Sequence, residues 1–270
     1  MPVGDVHAWS AGWPAKKFAE HIKWGVDRGA YFLGMGEYLD FTSGSQRQLL
    51  RGMRDSQRQQ IDDAMRYNNE RLFKLMEPSK GRWLGLLEGH HYHEFVEGTT
   101  TDQELCQMLA APFLGTSTLL DIRLGGKGRA GTGCTVTLYA HHGAGGGGRK
   151  QGGHLHRVED LLSWIEADIY LMGHTHAQPT APVDRLYRTR DGHLYHRTKI
   201  LARTGGFLRG YAQAPVSALD KPAGRSRGSY VEQSALSPSA LGGIVLSLGI
   251  KRITNGGKMD IIVPDVHVSL

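Results

Sequence analysis

The chain reads as an α/β protein built as one domain over residues 1–270, and three observations predict it. Short apolar runs with β-strand appetite alternate with amphipathic helical patterns along the sequence. Its 270 residues and 40% hydrophobic content suffice for one sizeable core. The apolar runs also end, repeatedly, in histidine or carboxylate hinged on glycine, and strand ends are where α/β folds assemble their sites.

Asp5-Val-His7 comes so early that a first strand is only a stub at Pro2 and Val3. Pro14 suits the first turn of a helix over 15–28, with Phe18, Ile22 and Val26 on one face. Tyr31–Gly36 is a buried-strand pattern, with Glu37 and Asp40 just beyond it. Ser45 to about Met76 is a charged, surface-covering helix or helix pair. Trp83–Glu88 is the next strand and empties into Gly89-His-His-Tyr-His93. Thr101-Asp-Gln-Glu104 reads as a capping box opening a helix to about Ala111. Thr118–Leu124 and Cys134–Ala140 are strands joined by a glycine-rich hairpin turn at 125–128. A helix marked by Val158, Leu161, Leu162 and Ile165 precedes the strand Ile169–Met172, which runs into Gly173-His-Thr-His176. Beyond it, Leu186–Tyr187, His193–Leu201 and Gly206–Leu208 suggest antiparallel strands. Residues 212–239 read as a long loop, and 243–249 and 260–263 as closing strands.

Composition bounds the setting. The formal net charge is +6, from 32 Lys+Arg against 26 Asp+Glu, which favours anionic partners without demanding them. Two cysteines far apart, Cys106 and Cys134, make no disulfide framework, so a reducing cytoplasm is expected. No apolar run approaches the ~20 residues of a membrane span, so no membrane partner is expected. The sequence is silent on oligomeric state.

The chemistry lies in the residues just past each strand: Asp5 and His7, Glu37 and Asp40, His90 and His91, His141 or His142, and His174 and His176. Each pair alone is common by chance; five in succession at strand ends are not. The pieces Asp5-Val-His7, Gly36-Glu-Tyr-Leu-Asp40, Gly89-His-His, Tyr139-Ala-His-His142 and Gly173-His-Thr-His176 resemble the calcineurin-like metallophosphoesterases. In that family the pattern is D-x-H, G-D-x-x-D, G-N-H-[DE], a His after a strand, and G-H-x-H. The resemblance spans residues 4–176. A tail like Arg203–Tyr211 is similar to that of some phage and prophage members.

This resemblance implies a four-layer αββα sandwich, two mixed β-sheets flanked by helices, with two divalent transition-metal ions (Mn, Zn, Fe or Ni) at the sheet junction. One ion would be held by Asp5, His7 and His176, the other by His90, His141 and His174, with Glu37 bridging. His91 would contact the phosphate and assist the leaving group, and Asp40 would orient His91. Two such ions clamp a phosphoryl group and activate a shared water, so the implied activity is hydrolysis of phosphoric mono- or diesters. Two residues depart from the pattern: Glu37 replaces the bridging Asp, and His90 replaces an Asn. The second substitution makes the second site richer in nitrogen, which shifts preference from Mg toward Zn, Mn, Fe or Ni.

Other residues carry weaker expectations. His142 competes with His141, and the family pattern favours the first. His93, His142 and Arg149 are candidate substrate contacts, whereas His154 and His156, which lie past no strand, are not expected to be ligands. A nuclease acting on DNA or RNA is the nearest alternative activity, although no basic run interleaved with aromatics tracks a nucleic-acid backbone. The non-enzymatic alternative is a degenerate member that binds metal or a partner without turnover, kept open by Glu37 and His90.

Overall fold

The computed structural model describes residues 1–10, 12–125, 133–146, 152–190, 192–211, 237–255 and 259–269, with the side chains of 254–261 excepted. Three short strands, β1 (Pro2–Val3), β2 (Phe32–Gly34) and β3 (Trp83–Leu86), form a parallel sheet in the order β1-β2-β3. Helices make the crossovers, as parallel strands require. These are α1 (Ala15–Asp27), then α2 (Gly44–Arg51) with α3 (Asp55–Met76). After β3 comes α4 (Thr101–Leu109).

The larger sheet contains β4 (Ser117–Gly125), β5 (Gly133–His141), β6 (Ile169–Met172), β7 (Thr180–Arg188) and β8 (Leu194–Arg203), in the order β4-β5-β6-β8-β7. Its middle pairs β5-β6 and β6-β8 are parallel and its outer pairs antiparallel. Helix α5 (Gly153–Asp160) leads toward β6. The two-residue strands β9 (Gly205–Gly206) and β10 (Gly242–Gly243) pair with each other, and β11 (Val245–Asn255) with β12 (Met259–Ser269) closes the chain as a hairpin.

Three apolar cores hold these parts together. Phe18 and Ile22 of α1, Leu72 and Met76 of α3, and Leu105 and Leu109 of α4 pack with Val3, Phe32, Trp83 and Leu86 on one side of the small sheet. Leu33, Met35 and Leu87 of that sheet's strand segments share a second core with Val136, Leu138, Ala140, Ile169, Leu171, Ile200 and Ala202 of the large sheet. The β11–β12 hairpin adds Leu246, Leu248, Val266 and Val268 to it, against Leu120, Ile122 and Leu124 of β4. Val158 of α5 packs with Tyr139, Tyr170, Met172 and Leu201 on the far side of the large sheet. The chain is therefore α/β with mixed sheet and helix, an arrangement compatible with an α/β sandwich.

Several expectations are corrected. The small sheet is wholly parallel, so only the large sheet is mixed. The helical stretch 45–76, expected as a helix or helix pair, is the pair, separated at Gly52–Arg54. The capping box lies one residue earlier than expected: Thr100 is the N-cap, and its hydroxyl accepts from the Gln103 amide while Gln103 Oε1 accepts from the Thr100 amide. Strands β7 and β8 pair antiparallel as expected, but β8 also runs parallel to β6, and the strand expected at 206–208 is only Gly205–Gly206. Of the turn expected at 125–128, Gly125 ends β4 and the rest lies outside the described residues, as does most of the loop expected at 212–239. Among the described residues no helix is long and apolar enough to cross a membrane. Both cysteines are free.

Candidate metal centre

The C-terminal ends of β1, β2, β3, β5 and β6 open toward one another, and their trailing residues converge. Two groups of potential ligand atoms result, each within 4.8 Å: Asp5, His7, Glu37 and His176, and Glu37, His90, His142 and His174. Glu37 belongs to both. Its Oε2 lies 2.7 Å from His7 Nε2, while its Oε1 lies 3.0 Å from His142 Nε2, 3.5 Å from His174 Nδ1 and 3.6 Å from His90 Nδ1. Ring nitrogens face one another within each group: His7 and His176 Nε2 are 3.2 Å apart, and His90 and His174 Nδ1 are 3.3 Å apart.

The backbone is bent to make this possible. Among the described residues seven non-glycine residues have positive φ, and five of them are Asp5, His7, Glu37, His174 and His176. Such conformations cost energy and persist only where the surroundings enforce them, typically at functional sites. Here the enforcement is visible: the amides of Val6 and His7 both donate to the Glu37 carbonyl, at 2.8 and 3.0 Å, and the His174 amide donates to Asp5 Oδ2 at 2.8 Å. Close approach of the β2 and β3 ends needs glycine. A Cβ on Gly89 would stand 2.2 Å from the Glu37 amide nitrogen, and one on Gly36, at φ +93°, 2.6 Å from His142 Nδ1.

Electrostatics fit a cation better than they fit the bare protein. Burial, then the neighbouring Glu37 charge, pushes the Asp5 pKa well above the carboxylate range. Burial works against the Glu37 charge too, but hydrogen bonds from His142, His174, His7 and His90 overcome it and hold Glu37 ionised. Burial opposes a charge on His7, yet hydrogen bonds to Asp40 and Glu37 push its pKa up to about 10. Burial and the nearby His7 lower His176 to about 3. Asp5 Oδ1 is buried with no hydrogen-bond partner, 3.8 Å from His176 Nε2. An unpartnered buried carboxylate oxygen, facing imidazole nitrogens, is a donor set that divalent transition metals satisfy.

Other expected residues divide. His91 Nδ1 lies 3.7 Å from Asp40 Oδ1, but Asp40 is closer to His7 Nδ1, at 3.2 Å, so it orients His7 first. Burial lowers the His91 pKa. His142, not His141, enters the second group, and strand alternation is the reason. Val136, Leu138 and Ala140 face the core between the sheets, and Tyr139 faces α5. His142 continues the first row, and its Nδ1, 2.6 Å from the Met35 carbonyl, fixes the ring with Nε2 toward Glu37. His141 continues the second row, and its Nδ1 accepts from the Gly143 amide. His93 lies outside both groups: it is buried, with Nε2 2.6 Å from Asp62 Oδ1 on α3. His154 and His156 lie in α5, outside both groups. Arg149 lies outside the described residues.

Sequence reasoning missed two supports. Asp102 is buried under the His90 loop, where its Oδ2 accepts from the Gly89 amide at 3.2 Å; burial pushes its pKa up to about 7. Arg203 is buried at the end of β8, and burial lowers its pKa to about 10. The available signal for Arg203 was a cation closing the apolar run Ile200–Ala202.

Comparison with protein-family models, curated proteins and solved structures finds no match to this chain.

Proposed function

We propose that the chain is a divalent-metal-dependent hydrolase of phosphoric esters, with an αββα sandwich of the calcineurin-like metallophosphoesterase type. The observation that carries the reading is the pair of four-residue donor groups sharing Glu37. Asp5, His7, Glu37 and His176 would hold one ion, and Glu37, His90, His142 and His174 the other. When bound, a metal pair supplies Lewis acidity toward a phosphoryl oxygen and an activated water. The three imidazoles of the second group favour Zn, Mn, Fe or Ni over Mg.

The remaining work falls to the chain's own residues. His91 stands beside the first group, its ring 5.5 Å from that of His7. With its pKa lowered by burial, it is neutral near pH 7 and can donate a hydrogen bond to an ester oxygen. An anionic ester beside it would raise that pKa and let it pass a proton to the leaving group. Asp40 holds His7 through Nδ1, leaving Nε2 for the centre. Two free cysteines suit a reducing, cytoplasmic setting.

Elemental analysis of the purified protein, paired with a screen of chromogenic phosphomonoesters and phosphodiesters, tests the reading. About two equivalents of transition metal with turnover are expected for a two-metal hydrolase. Less than about one equivalent, and no turnover with added Mn or Zn, would sink it. His91→Ala should keep the metal content and cut turnover by about 10²–10⁴-fold, the usual cost of a lost general acid. Loss of metal from that variant would show the role to be wrong.

A further inference from the structure

The turn Gly173–His176 gives His174 to one donor group and His176 to the other, so whatever shapes this turn shapes both. Both histidines have left-handed backbones, at φ 71° and 56°, and neither conformation is held by a regular element. The neighbouring strand end holds them instead. In the parallel β6-β8 pair, Arg203 is the partner of Met172. Backbone amides of Arg203, Thr204 and Gly205 donate to the carbonyls of Pro179, Met172 and Ala177, stitching the chain on either side of the turn. The side chain of Arg203 reaches the turn itself: Nη1 donates to the Gly173 carbonyl at 2.9 Å, and Nε to the His154 carbonyl at 2.6 Å. Since the Thr175 amide also donates to the Gly173 oxygen, at 2.9 Å, both lone pairs of that carbonyl are engaged.

We propose that Arg203 is the positioning residue of the candidate centre: its guanidinium locks the Gly173 peptide and so sets His174 and His176 toward their separate donor groups. The proposal rests on reading those groups as a metal centre. Core packing does not call for this residue. Arg203 is 1% exposed, and among the described residues no carboxylate lies at ion-pair distance from it. A buried charge without such a partner is costly, and an apolar residue of similar volume would pack more cheaply. What a planar fork adds is two directed donors from one rigid group, and here they bind the turn to the start of α5. Partners that orient metal ligands from behind typically carry about 10- to 100-fold in metal affinity.

Cobalt(II) titration of the full chain tests this, because the visible absorption of bound Co²⁺ reports ligand geometry independently of any turnover. Arg203→Gln should lose about 10- to 100-fold in Co²⁺ affinity at both groups and change the band shape, while still unfolding cooperatively. Arg203→Lys, which keeps the charge but not the fork, should fall between the parent and Arg203→Gln. Asp168→Asn weakens a buried carboxylate's pair with Arg197 just before the start of β6, at the opposite end of that strand from the turn; it should lower the melting temperature and leave Co²⁺ affinity and spectrum as in the parent. Parent-like affinity and spectrum in Arg203→Gln would overturn the role. Should that variant fail to fold, the same result in Arg203→Lys would overturn it. A parent chain that binds no Co²⁺ overturns the metal reading and this role together.

Discussion

His141 and His142 are adjacent and chemically identical, and only one of them faces the centre. His142 Nε2 is 3.0 Å from Glu37 Oε1, whereas His141 turns its Nδ1 to the Gly143 amide. His142→Ala should therefore reduce metal binding at the second group by more than the about 10- to 100-fold that losing a ligand's orienting partner costs, and His141→Ala should leave it nearly unchanged. Equal losses in the two variants, by metal titration, would contradict the placement. His7 makes a second residue-scale prediction. With its pKa pushed up to about 10 it carries a proton at neutral pH, whereas His176, lowered to about 3, is already neutral. A metal must displace the His7 proton to reach Nε2. Filling the first group near neutral pH should thus release about one proton through His7. Calorimetry in buffers of different ionisation enthalpy measures it, and release should fade as the pH approaches the His7 pKa. No buffer dependence near neutral pH would contradict the protonated His7.

At the scale of elements, strand ends do the positioning, and they are partly legible in the sequence. Apolar runs ending in Gly with His or carboxylate mark β2, β3 and β6 closely, because a buried parallel strand must be apolar on both faces. The row Val136-Leu138-Ala140-His142 is also readable by alternation, but the family pattern points to His141 instead, and alternation is the better guide. The capping box slips by one residue because Thr100 and Thr101 offer the same hydroxyl, and only backbone geometry decides between them. Arg203 cannot be given a role from sequence, since its partners are backbone carbonyls that leave no trace in side-chain type. Asp102 is hidden for the same reason: it looks like an acid in the first turn of α4 and is in fact a buried acceptor for the Gly89 amide. Its raised pKa has a definite sign. The native state keeps the proton from about pH 4 to about pH 7 while the unfolded state loses it, so this group's contribution to stability is present below that window and lost as pH rises through it. Asp102→Asn, which can still accept from Gly89, should gain stability relative to the parent as pH is raised from about 5 to about 8, by an amount on the order of 1 kcal/mol or more. Urea unfolding at both pH values checks it; a difference independent of pH would contradict the raised pKa.

Across the whole molecule, the centre is where two sheets meet. Asp5, His7, Glu37 and His90 lie just past strands of the small parallel sheet, while His142, His174 and His176 lie just past strands of the large one. Each donor group takes its residues from both, so an ion bound there would join the sheets at their common edge, as the apolar core of Leu33, Met35, Leu138 and Leu171 joins them below. The metal-free protein carries the cost of that edge: left-handed backbone at five donors, roughly 1–2 kcal/mol apiece in principle, and two carboxylates buried side by side. A metal relieves the charge without needing to create the geometry, so binding should appear as stability of the entire fold. At a free concentration about 100 times Kd one site adds about 2.7 kcal/mol. For a domain near this size each kcal/mol moves Tm by about 2–4 °C, so saturating Mn or Zn should raise the melting temperature by roughly 5–10 °C, in a single sharper transition. Mg, which prefers oxygen ligands, should raise it less at the same concentration. Thermal melts with chelator, Mg, Mn and Zn distinguish the cases. Equal shifts with Mg and Mn would argue that the nitrogen-rich donors are not the ligands, and a melt that splits into two metal-sensitive and metal-insensitive steps would argue that the ion does not join the sheets.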